Sequence, residues 1–516
     1  GEFRFAGKVQ DIELDYMPAT LLPAKSLPWP RLQKLEGQLV FERMGMKLVN
    51  ATARTGDNRT GLALSAGQAE IADMANNPVL VVSAEHKGPA LQVLTLVQKS
   101  PLDQMLSGAL RQAQVTGNLQ TRFKFSMPLL NAKATKLQGS VLLAGNDVRM
   151  TPSTPLLEKV QGSVQFSESD FGLSGVQARM LGGPVRIDGG LRPAAGASNT
   201  DSTLQLRAQG RVTAEALRSA KELSPLNEWA MQATGSTGYS AQLGWRQGKP
   251  EITLDSSLEG LALNLPAPLG KSATSSAPIS VRSRVQSTGG ALRDQLLIDW
   301  GPIASANFVR DVAGTDPVVL RGTMTLGQPA AQAPAMPSAG VSASVVVNRL
   351  NVDEWESILP AQVGNADKAA TNPWMSYMPA RIALQAGAIS ADGRTLNQVM
   401  ANGVREGTTW RATVDARELN GQVVYRQPSG EQLAHLYARL TRLNLPPSSV
   451  VEVEGLLEAP PANLPSLDIV VEQLELRGKK LGRVEIEAVN PEPQRSRGKA
   501  APEWQLNKFN IIVPEA

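Results

Sequence analysis

The sequence contains no cysteine and only two histidines among its 516 residues. The lack of cysteine excludes disulfide bonds, thiolate zinc sites and cysteine nucleophiles. It suits the cytosol and equally an oxidising compartment, where stray thiols would mispair. His86 and His435 are the only imidazoles, and neither stands near a nucleophile-elbow motif of a hydrolase. The sequence therefore predicts that the protein is not an enzyme, and it indicates neither a cofactor nor a bound metal.

Long apolar runs are missing as well. No run approaches the roughly 20 residues that a membrane-spanning helix needs, and no signal peptide opens the chain. The chain has no initiator methionine and begins inside a strand pattern, Gly1-Glu-Phe-Arg-Phe5. We therefore interpret the sequence as a fragment whose targeting signals would lie outside it.

Clustered charge and interdomain linkers are also absent. The 51 basic and 47 acidic residues give a net charge of +4 and are spread along the chain, whereas nucleic-acid binders gather basic residues on one face or arm. We expect no nucleic-acid partner. The Pro/Ala/Ser-rich patches at 192–200, 267–278 and 328–340 are short enough to be loops between strands. One continuous, modular body over residues 1–516 is therefore predicted.

The dominant signal is the alternation of apolar and polar side chains. Leu119, Thr121, Phe123 and Phe125 alternate with Gln120, Arg122 and Lys124, and the same pattern occupies 239–245, 296–300, 410–414 and 467–471. Successive side chains leave a strand on opposite faces, so this period of two predicts sheets with one apolar and one wet face. Such sheets are typically antiparallel.

Helical patterns are few and short. We expect helices only near 102–110, 214–221, 226–231 and 353–359, with Asp353 as the N-cap of the last one. Acidic residues on the first strand, Asp11, Glu13 and Asp15, alternate with Ile12 and Leu14 and are interpreted as its wet face rather than as a cation site. Pro268-Leu-Gly-Lys-Ser272 lacks the first glycine of a phosphate loop and is read as a turn.

An internal repeat organises the first half of the chain. Lys34–Phe41 matches Lys159–Phe166 at an offset of 125, and Ser100-Pro-Leu-Asp103 matches Ser224-Pro-Leu-Asn227 at an offset of 124. Thr116-Gly117 matches Thr237-Gly238, and Leu137-Gln-Gly139 matches Leu258-Glu-Gly260, each at an offset of 121. We infer one repeat unit at about 35–159, a second at about 160–280, and further sheet of the same kind over 281–516. Repeats that cannot cover their apolar faces alone stack into elongated bodies.

The number of strands and the spacing between them predict the fold class. About 18 residues for each strand and turn give roughly 28 strands, and ~4.8 Å between neighbours gives a sheet on the order of 130 Å long. A single open sheet of that length has to curl. The prediction is a mainly β protein, an elongated and curled antiparallel sheet that forms an open apolar groove with a few short helices.

The groove would be lined by side chains whose role is shape and hydrophobicity. Its predicted lining consists of Phe123, Phe125, Val164, Phe166, Leu204, Leu206, Leu243, Leu261, Leu263, Leu467, Ile469 and Val471.

Several segments resemble one family of bacterial proteins. Residues 464–488, with Leu464-Pro-Ser-Leu-Asp468 and Gly478-Lys-Lys-Leu-Gly482, resemble the signature segment of AsmA-like proteins. Residues 410–425 and 436–446 precede it in the order seen in the YhdP family, which 260–271 and Pro28-Trp-Pro30 also resemble. The likeness to the YhdP family extends over essentially the whole chain.

The resemblance implies a function that the residues alone do not. Members are bridge-like lipid transfer proteins of the Gram-negative envelope, with an inner-membrane helix at the N-terminus and a β-rich body in the periplasm. By this resemblance the chain is a section, lacking both ends, of a conduit that shields phospholipid acyl chains between the inner and outer membranes.

Two other interpretations stay open at this point. One is a β-rich periplasmic scaffold for outer-membrane assembly with a closed, lipid-free core and unknown protein partners. A weaker one is an extracellular adhesin of stacked β-sandwiches.

Overall fold

The chain forms two compact units, residues 1–262 and 263–516. The structure, a computed structural model, describes residues 3–513 except 16–26, 57–60, 106–107, 109, 132–133, 153, 169, 193–202, 224–225, 247–248, 289, 315–316, 359–375, 392, 429–432, 446–464, 477 and 490–504.

The first unit is a sheet of long strands with two helical insertions. Its strands are β1 Arg4–Leu14, β2 Leu32–Glu42, β3 Gly45–Thr55, β4 Ala63–Asp73, β5 Asn77–Pro89, β6 Gln114–Val115, β7 Asn118–Pro128, β8 Lys136–Arg149, β9 Leu157–Ser167, β10 Phe171–Met180, β11 Gly182–Arg192, β12 Thr203–Thr213, β13 Ala233–Arg246 and β14 Lys249–Ser256. Its helices are α1 Ala90–Gln98, α2 Leu102–Met105, α3 Ala214–Ser219 and α4 Leu226–Trp229, with 3-10 turns at Lys221–Leu223 and Ala230–Gln232. The short strand β15, Leu261–Leu263, lies at the boundary of the units.

The second unit is also a sheet. It contains β16 Ile279–Thr288, β17 Ala291–Trp300, β18 Ala304–Asp311, β19 Val318–Leu326, β20 Gly340–Asn351, β21 Arg381–Ala391, β22 Arg394–Glu406, β23 Thr409–Asp415, β24 Leu419–Arg426, β25 His435–Leu445, β26 Ser466–Leu476, β27 Lys479–Val489 and β28 Gln505–Ile512. Helix α5 is Val352–Glu356, and Ala330–Gln332 is a 3-10 turn.

Within each unit the strands pair mostly with their neighbours in the chain. The described pairs among β1 to β14 are antiparallel, and β6 is a short addition that pairs with β8 while β5 pairs with β7. In the second unit β19–β20, β20–β21 and β25–β26 are parallel. Two parallel neighbours need a connection that carries the chain from the end of one strand back to the level at which that strand began. The chain supplies longer connections at these three places.

The predicted fold class is confirmed. The protein is mainly β, with long, open and largely antiparallel sheet and a few short helices, and the 28 strands of the described chain match the expected number. The three parallel pairs were not predicted, because alternation reports the faces of a strand and not its direction.

The helices differ in detail from expectation. Helix α1, Ala90–Gln98, was not predicted, because its sequence ALQVLTLVQ is apolar nearly throughout and lacks an N-cap side chain. The helix predicted at 102–110 is described only as α2, Leu102–Met105. The N-cap of α5 is Asn351 rather than Asp353, since its side-chain oxygen accepts from the backbone N–H groups of Asp353 at 3.1 Å and Glu354 at 3.4 Å.

Two structural features recur at the spacing of the predicted repeat. Ala90 and Ala214 stand 124 positions apart, each is the first residue of a helix, and each is 1 % exposed. Lys34 and Lys159 stand 125 positions apart and share a positive φ, 50° and 52°, beside a break in strand register. Such bulges increase the local twist of a sheet. The boundaries of the repeat units remain a prediction.

An aromatic ring covers a cross-strand glycine in the first unit. Gly139 pairs with Phe166 on β9 and with Phe123 on β7. A Cβ at position 139 would lie 2.6 Å from the carbonyl oxygen of Arg122 and closer still to the ring of Phe166. The missing side chain therefore gives the ring of Phe166 its place against the sheet.

We expect Gly139→Ala to destabilise the first unit by about 1–3 kcal/mol, the usual cost of overpacking. The control is Gly172→Ala on β10, where an added Cβ meets no atom within 4 Å. Urea unfolding of both variants checks this prediction, and equal midpoints for the two would contradict it.

Candidate functional site

In the first unit, strand register places apolar residues of consecutive strands side by side. Residues that pair across antiparallel strands share a face of the sheet. One row of such partners runs Gly7, Leu39, Leu48, Ala69, Val82, Phe125, Leu137. A second runs Thr121, Val141, Val164, Leu173, Gly189, Leu206, Leu243, Ile252. Phe125 and Thr121 lie on the same side of β7, so both rows belong to one face, the apolar face of the first unit.

The second unit carries a longer row. It runs Val281, Ile298, Ala306, Met324, Ala343, Ile382, Gly403, Ala412, Val423, Ala438, Ile469, Ile486, Phe509. This row crosses every strand from β16 to β28 without a polar side chain, and it defines the apolar face of the second unit.

The opposite face of the second unit is mostly polar. Directly beside the apolar row, the cross-strand partners on the opposite face are Arg282, Leu297, Asn307, Thr323, Ser342, Arg381, Val404, Arg411, Val424, Tyr437, Asp468, Glu487 and Lys508. On this face Arg439 binds the carboxylate of Asp468 with N–O distances of 2.9 Å. That hydrogen bond is the main cause that holds the pKa of Asp468 below its usual value, while burial opposes it.

Most large side chains in the apolar row of the second unit are only partly buried. The half-buried ones are Ile298, Met324, Ile382, Val423, Ile469 and Ile486, and Phe509 is exposed. Other large apolar side chains, such as Met127 and Phe308, are buried. The core between two stacked sheets would enclose large side chains completely. The row of the second unit therefore keeps part of its surface accessible.

Most of the predicted lining lies on these faces. Phe123, Phe125, Val164, Phe166, Leu206 and Leu243 share the apolar face of the first unit, and Leu467, Ile469 and Val471 share that of the second. Leu204 takes the register position opposite Leu191, which belongs to the same set of cross-strand partners as Phe166.

Three predicted lining residues differ from the rest. Leu261 is 5 % and Val471 is 2 % exposed, so both offer little surface to a ligand and support their neighbours instead. Leu263 lies two residues after Leu261 on the short strand β15 and forms a bridge with Lys271. That any of the twelve contacts a ligand stays a prediction.

The predicted lining omitted most of the second unit. Val281, Ile298, Met324, Ile382 and Val423 lie on the apolar face, and none was named as lining. The alternation at 296–300 and 410–414 already indicated strands with one apolar face. The pattern of a single strand does not tell which of its residues align with the apolar residues of the neighbouring strands.

The two histidines occupy different environments. His86 lies inside β5, which continues to Pro89. It is 1 % exposed, and its Nδ1 lies 2.8 Å from the carbonyl oxygen of Ala63. His435 is paired with Arg426 and stacks on Tyr437 with a ring-centroid distance of 3.9 Å. Burial, and then the charge of Arg426, lower the pKa of His435 and favour its neutral form.

Acidic side chains at the end of β1 form ion pairs with an arginine of the same chain, Arg31. Arg31 lies 3.6 Å from the carboxylate of Glu13 and 3.4 Å from that of Asp15. Within the described ranges, no group of three or more His, Asp or Glu side chains is placed to hold a metal ion. No helix of the described chain is both long and apolar enough to cross a bilayer.

Fold and surface together define a class, that of proteins built from long open β-sheet, with an apolar face in each unit. A family profile described as YhdP protein matches residues 1–514, and the chain belongs to this family.

The intermembrane phospholipid transporter YhdP of Escherichia coli (strain K12) is 26 % identical over 257 residues. The match covers 49 % of this chain and 19 % of the relative, so the chain matches less than a fifth of the length of that protein. No solved structure matches the chain.

An open apolar face predicts unequal costs for two identical truncations. Val471→Ala removes a side chain that is 2 % exposed and should lower the free energy of unfolding by about 1.5–3 kcal/mol. Val423→Ala, on the same face but only half-buried, should cost less than about 1 kcal/mol.

Urea titrations of the two variants make the comparison. Equal losses would mean that the face is covered and packed at Val423, as in a closed core.

Proposed function

We propose that this chain is a section of a periplasmic lipid conduit, in which the apolar faces form a groove that shields phospholipid acyl chains. The full-length protein would be anchored in the inner membrane, and lipid would pass between the inner and outer membranes. The chain itself would perform no chemical reaction.

The observation that carries this proposal is the unbroken apolar row of the second unit. Thirteen consecutive strands contribute one residue each, from Val281 to Phe509, and none is polar. Neighbouring strands stand about 4.8 Å apart. An acyl chain that moves by one strand along this row leaves one aliphatic contact and meets another of similar character.

The energetics favour retention without specific recognition. Each CH₂ group removed from water contributes about 0.8 kcal/mol, so a two-tailed lipid strongly prefers an apolar surface to water. The hydrated head group can remain at the open side of the groove. Similar strands give similar energies, which keeps the barrier between successive positions low.

The comparison with the Escherichia coli relative supports the substrate class. That protein is named an intermembrane phospholipid transporter, and this chain belongs to the same family. Phospholipid is therefore the ligand we assign, and the periplasm is the compartment in which such a groove would bridge two membranes.

The second candidate function is a β-rich scaffold with a closed, lipid-free core. It requires the large apolar side chains to be enclosed, whereas Ile298, Met324 and Ile382 in the apolar row of the second unit are only half-buried. This difference is why we favour the conduit.

Charges on the apolar faces should block lipid. We expect Phe125→Glu and Ile469→Lys to reduce bound phospholipid, because an acyl chain cannot pass a charged side chain without desolvating it. The matched control is Gln422→Lys, an exposed position on the polar side of β24, which should leave bound lipid unchanged.

The measurement is mass spectrometry of phospholipid that co-purifies with each folded variant. Photocrosslinking residues at Phe125 and at its neighbour Lys124 test the facing directly. Lipid captured at Lys124 but not at Phe125, or wild-type protein free of phospholipid, would sink the conduit proposal.

A further inference from the structure

One polar cluster interrupts the apolar face of the second unit. Asp294 on β17 and Arg310 on β18 are cross-strand partners. Asp294 lies on the same side of β17 as Leu296 and Ile298, and Arg310 on the same side of β18 as Phe308. Their side chains are 5 % and 14 % exposed. A buried ion pair therefore stands on a surface that is mostly apolar.

The ion pair is satisfied by hydrogen bonds. Arg310 donates from Nε to Asp294 Oδ1 at 2.9 Å and from Nη2 to Asp294 Oδ2. Ser283 Oγ donates to Asp294 Oδ2 at 2.8 Å. Burial alone would lower the pKa of Arg310, but its hydrogen bonds to Asp294 and Tyr377 outweigh burial, so that the pKa is raised and the guanidinium stays charged.

The third guanidinium nitrogen of Arg310, Nη1, contacts a segment outside the strands. Arg310 Nη1 lies 3.1 Å from the hydroxyl oxygen of Tyr377. The Tyr377 ring packs edge-on against Phe308, with ring centroids 5.1 Å apart and an interplanar angle of 78°. Phe308 is 3 % exposed and is the only phenylalanine among the buried residues of the described chain. Tyr377 therefore covers part of the apolar face.

Hydrogen bonds on both sides of Tyr377 hold its segment against the sheet. Ser376 Oγ accepts from the backbone N–H of Val319 at 3.3 Å. Ala380 donates its N–H to Val341 and accepts from the N–H of Arg405, both at 2.8 Å. Residues 376–380 thus lie across the starting ends of β19 and β20 and contact the end of β22 before the chain enters β21.

Hydrogen bonds decide what can occupy the surface above Phe308. An acyl chain could replace the apolar contact between Tyr377 and Phe308, because hydrophobic contact is not directional. An acyl chain could not replace the Tyr377 hydroxyl as the hydrogen-bond acceptor of Arg310. If an acyl chain displaced Tyr377, the buried guanidinium would lose this acceptor. The cluster therefore favours Tyr377 over a lipid tail at this position.

We infer that Asp294, Arg310 and Tyr377 close this part of the apolar face to acyl chains and so set the lipid path in the second unit. The path is confined to the row through Ile298 and Met324, whose side chains are half-buried. This inference rests on the proposed lipid-conduit function and identifies the positioning residues of its track. Tyr377 is the element that excludes lipid, and Arg310 acts through it.

The test is photocrosslinking with phosphatidylethanolamine that carries a diazirine in one acyl chain, supplied in vesicles to the whole chain. Peptide mapping then locates the captured lipid. In the wild type we expect capture on peptides with Ile298 and Met324 and little on the peptide with Phe308. Tyr377→Ala should raise capture at Phe308, and Tyr377→Phe, which loses only the hydroxyl, should raise it by about tenfold or less.

Met378→Ala is the matched control. Met378 adjoins Tyr377 in the same segment and is 37 % exposed, so its truncation should leave the pattern of the wild type. Urea midpoints establish that each variant is folded. In Tyr377→Ala, Arg310 keeps both hydrogen bonds to Asp294, which preserves the buried pair.

The possible outcomes separate the two proposals. Wild-type capture at Phe308 equal to that at Met324, or no gain at Phe308 in a folded Tyr377→Ala variant, overturns this inference and leaves the conduit intact. Absence of capture at every position of the apolar face overturns the conduit and, with it, the role given to Tyr377.

Discussion

Cross-strand pairing is the constraint on which the rest of this structure depends. Partners on neighbouring strands share a face, and side chains along a strand alternate between faces. A period of two in the sequence therefore becomes a surface only if register is kept from strand to strand. The second unit keeps it over thirteen strands, so that single residues such as Ile298, Ile382 and Ile469 add up to one row.

Much of this could be predicted from sequence, because alternation is local. The mainly β fold, the scarcity of helices and the shared face of Phe125, Val164 and Leu243 follow from side-chain periodicity. The parallel pairs, helix α1 and the buried position of His86 could not, since they depend on how loops return the chain and where a strand ends. Most residues on the apolar face of the second unit were left out of the predicted lining for a related reason: periodicity shows that a strand has two faces, but not which face aligns with the apolar residues of neighbouring strands.

Small residues make the long rows compatible with aromatic side chains. Gly139 leaves room for Phe166, and Gly322 does the same for Phe308 on the neighbouring strand. A ring placed flat over a glycine covers the backbone there and protrudes less than it would over a larger residue. Pairing an aromatic residue with a glycine thus makes the apolar faces more even in height. An even surface suits the proposed movement of a flexible acyl chain along it.

Polar groups on such a surface need a different explanation from those in an ordinary core. In a closed core, a buried ion pair contributes little net stability, because desolvation offsets the attraction. On a face proposed to hold acyl chains, the direction of a hydrogen bond matters more than its strength. An aliphatic contact accepts any apolar occupant, whereas the fork of Arg310 accepts only a hydrogen-bonding one, and Tyr377 provides it. In the proposed lipid path, the pair at Asp294 and Arg310 thus provides selectivity on a surface whose other contacts are mostly apolar.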